Sequence, residues 1–70
     1  MTPLFLYSKL STRSRRAIAR VKRRNGQPYQ YRPRGNLLRR LSRETGWTVD
    51  QVYTRLMQER QTIMRLFHGL

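Results

Sequence analysis

The sequence predicts a small all-α domain of three helices, and three observations lead there. Apolar side chains recur at helical spacing along residues 49–67. Strong punctuation divides the chain: Asn25-Gly26 and Gly46 are stop signals, and Thr48-Val-Asp-Gln51 is a start signal. The chain has 70 residues, which allows one domain with a small core. The expected organisation is a basic N-terminal helix and connector over residues 1–35, followed by a helix-turn-helix-like packing unit over residues 36–70.

The elements follow in order. Thr2-Pro3 reads as a helix start, with threonine as N-cap and proline in the first helical position. A helix from there places Leu6, Tyr7, Leu10, Ser14, Ala17, Ile18 and Val21 on one side. It either runs through or breaks near Ser8–Ser11, where Ser11 or Thr12 caps a second start. Arg13–Arg24 is expected to be helical, with Arg15, Arg16, Arg20, Lys22, Arg23 and Arg24 covering its outer surface. Residues 27–35 hold two prolines and a glycine and cannot continue a helix, so an extended connector is expected.

Asn36 then caps a short helix, Leu37–Thr45. Leu37, Leu38 and Leu41 point inward; Arg39, Arg40 and Arg43 point outward. Gly46 closes it in the left-handed conformation, and Trp47 is the expected plug of the core. The last helix is expected from Val49 to about His68, with Val49, Val52, Tyr53, Leu56, Ile63, Met64 and Phe67 forming its apolar stripe. Arg60 interrupts that stripe. Either its stem lies on apolar surface with its head in water, or the helix meets different neighbours at its two ends.

Charge is the strongest functional signal. Sixteen Lys and Arg face three Asp and Glu, giving a net charge of +13 and a sequence pI near 11.9. The distribution is uneven. Residues 1–43 hold 13 basic side chains and no acid; residues 44–70 hold Arg55, Arg60 and Arg65 against Glu44, Asp50 and Glu59. The first part therefore carries the whole excess, and a polyanionic partner is expected to offset it. Arginine dominates, with Lys9 and Lys22 the two lysines. Its planar fork binds phosphate through two hydrogen bonds and stacks on bases.

The expected contact set is Arg13, Arg15, Arg16, Arg20, Lys22, Arg23, Arg24, Arg32, Arg34, Arg39, Arg40 and Arg43. Arg13-Ser-Arg-Arg and Ala19-Arg-Val-Lys-Arg-Arg24 resemble the arginine-rich motifs of some RNA-binding proteins, over about a dozen residues. In the connector, Tyr29 and Tyr31 stand close to Arg32 and Arg34, a mix of rings and cations on which single-stranded bases stack. Packing is the favoured role of the two tyrosines; Arg32 and Arg34 remain contact candidates.

Residues 38–56 resemble a helix-turn-helix unit, with Leu41, Ser42, Gly46, Trp47, Val52 and Leu56 in its inward and turn positions. The helix after the turn departs from that pattern, because it is nearly neutral and carries Asp50 and Glu59. Were it a DNA reader, Thr48, Gln51, Thr54 and Arg55 would supply the contacts.

Several classes are disfavoured. There is no cysteine and His68 stands alone, so neither a disulfide nor a zinc cluster is available. No nucleophile–base set and no phosphate-binding glycine loop is visible, so an enzyme is not expected, nor a cofactor or small-molecule substrate. Glu44, Asp50 and Glu59 are explained by helix ends and i,i+4 pairing, Glu59 with the basic residues near it and Glu44 with Arg40. No apolar run is long enough to cross a bilayer. Residues 1–24 share the Arg- and Ser-rich, acid-poor character of transit peptides, but are read as part of the folded domain.

The preferred expectation is an RNA-binding or ribonucleoprotein component, cytoplasmic or nucleoid-associated and not secreted. A small DNA-binding regulator, dimeric through residues 49–67, is the alternative. A third reading is an adaptor docking on an acidic protein or an anionic membrane.

Overall fold

The computed structural model describes residues 2–22 and 25–69, and over these the fold is all-α. A 3-10 turn, Tyr7–Lys9, precedes three helices: α1 (Thr12–Ile18), α2 (Gly35–Thr45) and α3 (Val49–His68). The core is Leu6, Leu10, Ile18, Tyr31, Leu41, Val52, Leu56 and Ile63, drawn from every part of the chain.

The C-terminal pair forms as local chemistry dictates. The Thr48 hydroxyl accepts from the Gln51 backbone N–H at 3.1 Å, and the Gln51 side chain accepts from the Thr48 N–H at 2.9 Å, a complete capping box. Asp50 sits in the first turn of α3, where the helix dipole favours a negative charge. α2 ends at Gly46, whose φ of 78° suits a residue without Cβ, and its N–H donates to the Ser42 carbonyl. The three-residue connection 46–48 folds α2 back against α3. Trp47 is half-buried at the edge of the core instead of plugging it; its ring meets Phe5, centroids 5.5 Å apart, and lies beneath the Arg55 guanidinium.

α2 starts one residue before the expected cap. Arg34 is its N-cap, without a side-chain cap bond, and the Asn36 amide oxygen accepts from Arg39 instead. On α3, Val52, Leu56 and Ile63 are fully buried, whereas Val49, Tyr53 and Phe67 of the expected stripe are exposed.

The first half corrects the expectation more deeply. Pro3 starts no helix; Leu4 to Leu10 makes one tight turn. The reason lies on α3. Glu59 is fully buried, and its carboxylate accepts from the backbone N–H of Leu6 at 2.9 Å and of Tyr7 at 2.8 Å. Those amides are thereby held by tertiary bonds. Leu10 and Ser11 then run extended, and the Ser11 hydroxyl caps α1 by accepting from the Ser14 N–H.

α1 also stops at Ile18 instead of continuing to Arg24. In a longer helix the carbonyls of Ile18, Ala19 and Val21 would accept from residues four further on. Here Ile18 accepts from Arg60, Ala19 from His68 Nε2 at 3.0 Å, and Val21 from the Tyr29 N–H at 3.0 Å. Crowded arginines with no acid to offset them also oppose a longer helix. Lys22 pairs with Pro28 in an isolated antiparallel bridge, so the chain turns back at this point. Despite the different backbone, Leu6, Leu10 and Ile18 are buried as expected.

Candidate nucleic-acid interface

Because the chain reverses after α1, the connector lies beside that helix. Arg13 and Arg20 from α1 and its end, and Arg32 and Arg34 from the connector, line one groove of about 370 Å³. All four are exposed. The floor is Ala17, Tyr29, Tyr31, Pro33 and Leu37, each half-buried or buried. Among the described residues, no carboxylate lines the groove.

The tyrosines hold the connector down, as expected. Tyr31 is buried in the core, and Tyr29 is half-buried with the Arg20 guanidinium 5.1 Å from its ring centre. Behind them stands Arg60, whose guanidinium donates to the carbonyls of Ile18 and Tyr29 and lies 5.7 and 5.9 Å from the Tyr29 and Tyr31 ring centres. Its head is therefore engaged inside the protein, which resolves its place in the apolar stripe. Burial lowers its pKa from the ordinary arginine value, while Tyr29 and Tyr31 act the other way. Burial also raises the Tyr31 hydroxyl to about 12, with Tyr29 adding to the rise and Arg60 opposing it. That hydroxyl is buried without a hydrogen-bond partner.

The remaining expected contacts divide into two kinds. Among the described residues, Arg16, Lys22 and Arg43 are exposed and make no side-chain hydrogen bond or ion pair within the protein. Others have internal work. Arg15 donates to the carbonyls of Tyr7 at 3.2 Å and Ser8 at 2.9 Å and lies over the Tyr7 ring. Arg40 donates to the Lys9 carbonyl at 3.3 Å and pairs with Glu44 at 3.7 Å. Arg39 is tied to Asn36 on its own helix. Arg23 and Arg24 lie outside the described residues.

Sequence reasoning missed the part played by Glu59. The i,i+4 pairing expected of it is present, with Arg55 Nε donating at 3.1 Å, but the two amides also make this acid the anchor of the leading segment. The signal was present: residues 52, 56, 59 and 63 fall at successive core spacings on one helix, which puts Glu59 in line with Val52, Leu56 and Ile63. Arg55 is occupied as a result, donating to Glu59 and to the Pro3 carbonyl. It shares a groove of about 390 Å³ with Asp50, Gln51 and Thr54.

Among the described residues, no group of three or more His, Cys, Asp or Glu side chains is placed to hold a metal ion, and no helix is long and apolar enough to cross a membrane. Comparison with protein-family models, curated proteins and solved structures finds no match to this chain.

Proposed function

We propose that this protein binds nucleic acid, RNA in preference to DNA, through contacts to the phosphate backbone, and that it works as a binding component and not as a catalyst. One observation carries the reading: four exposed arginines from two separate segments converge on a groove with no acid in its lining. A solvated face normally mixes signs; this one concentrates guanidinium groups, whose forked donors match phosphate oxygens. The tyrosine floor adds apolar and π surface, which suits a strand whose bases are accessible.

Salt titration tests it. Neutralising phosphates releases counterions, so log affinity falls with log salt in proportion to the phosphates engaged. Replacing Arg13 and Arg34 by glutamine together should weaken binding to every sequence and flatten that slope by about 1.4, two single-strand phosphate contacts. Nucleic acid co-purifying with the protein should be removed by RNase and survive DNase. Wild-type protein that ignores both polymers at about 50 mM salt would leave the reading without support.

The short 46–48 connection between α2 and α3 favours a second reading, a helix-turn-helix DNA regulator. Thr48, Gln51 and Thr54 are exposed. Asp50 beside them and the commitment of Arg55 to Glu59 count against it.

A further inference from the structure

The connector lines a second groove. Residues 29–33 border a space of about 640 Å³ to which Tyr53, Met57 and Arg60 of α3 contribute. The two grooves share Tyr29, Tyr31, Arg32 and Pro33, so they adjoin along the connector. Their chemistry differs. In the second groove Arg60 is occupied by two backbone carbonyls, and Arg32 donates to the Gln30 amide oxygen at 3.0 Å. What remains is Tyr53, 46% exposed in the second turn of α3, the half-buried Met57 side chain, and the Gln30 amide nitrogen.

Resting on the nucleic-acid reading above, we infer that the protein takes a single strand across its connector, with backbone phosphates in the arginine groove and an unstacked base in the neighbouring groove against Tyr53. An exposed aromatic residue beside an arginine-lined groove is what an unpaired base requires. The free amide of Gln30 supplies a donor for a carbonyl or ring nitrogen on the base edge. Arg32, lining both grooves, is the pivot between phosphate and base. A duplex is excluded from this second contact, because its bases are paired and stacked within the helix.

The test uses the full chain with a fluorescent RNA strand of about a dozen nucleotides, within the span such sites cover, and the same strand annealed to its complement. Tyr53→Ala should weaken single-strand binding roughly five- to a hundredfold, the range a lost base stack costs. It should leave duplex binding within about twofold and the salt slope unchanged, since no charge is removed. Tyr53→Phe, which keeps the π face, should bind as wild type does. Circular dichroism should show unchanged helix content in both variants. Equal loss on strand and duplex, or full single-strand affinity in Tyr53→Ala, overturns the base site while leaving phosphate binding standing. Failure of the wild type to bind either RNA overturns the underlying reading, and this inference with it.

Discussion

On α3, Arg55 and Arg60 turn their guanidinium groups inward: one to Glu59 and the Pro3 carbonyl, the other to the carbonyls of Ile18 and Tyr29. In the α1–connector region, Arg13, Arg20, Arg32 and Arg34 stand exposed around a groove without acids. The side chain is the same and its use is opposite. What separates them is the surroundings: on α3 the arginines have a buried carboxylate and backbone carbonyls within reach, whereas the described lining beside the connector offers no carboxylate. Composition alone counts all of these residues as positive charge. Position decides which of them hold the molecule together and which are available to something else.

That contrast breaks most visibly at Glu59. Glu59→Ala leaves two amides and Arg55 without their shared acceptor, and breaking a buried ion pair costs about 3 kcal/mol or more. For a chain of this size that is a fall in melting temperature of more than about 10 °C. Glu44→Gln, which removes the exposed partner of Arg40, should shift stability by less than about 1 kcal/mol. Similar losses in the two variants, measured by thermal unfolding, would deny Glu59 its anchoring role.

Arg60→Met comes next. It keeps the stem's packing and removes charged hydrogen bonds to Ile18 and Tyr29, for a loss of about 2 kcal/mol. The Arg13→Gln, Arg34→Gln protein should show the reverse pattern, with stability within about 0.5 kcal/mol of wild type and binding impaired. A large stability loss in that double variant would erase the distinction between the two sets.

The effect at Tyr31 is confined to alkaline pH and is absent near neutrality. Its hydroxyl ionises near about 10 in an unfolded chain and near about 12 in the fold. Below the lower value both states are protonated and nothing is lost. Between the two the unfolded state gives up its proton first, so stability drains away as pH rises towards 12. Tyr31→Phe should abolish this part of the alkaline loss. At neutral pH it should cost almost nothing, because the buried hydroxyl has no partner to leave behind. A clear loss of stability near pH 7 in that variant would mean the hydroxyl has a partner after all.

Legibility in the sequence follows the same division. α3 occupies Val49–His68, as its capping box and apolar spacing indicate, and Gly46 ends α2 in the left-handed form expected of it. Those signals are local, and the partners that satisfy them lie within a turn. The first half obeys distant partners: Leu6 answers to Glu59, 53 residues away, and Ile18 to Arg60, 42 residues away. Local patterns therefore named the inward residues there and misjudged the backbone that carries them. The candidate site was legible as a set of residue types and not as a place. Grouping Arg13 and Arg20 with Arg32 and Arg34 needs the chain reversal between them, and nothing adjacent in sequence distinguishes Arg15, tied to Tyr7 and Ser8, from exposed Arg16.

Glu59 and Arg60 are consecutive on one helix, so their side chains leave it about 100° apart. One receives the leading segment and the other the returning one. Both contacts need this turn of α3 to be wound, since only the helix holds the two side chains at that angle. The final shape of the cationic half therefore depends on two adjacent residues that belong to the other half of the chain.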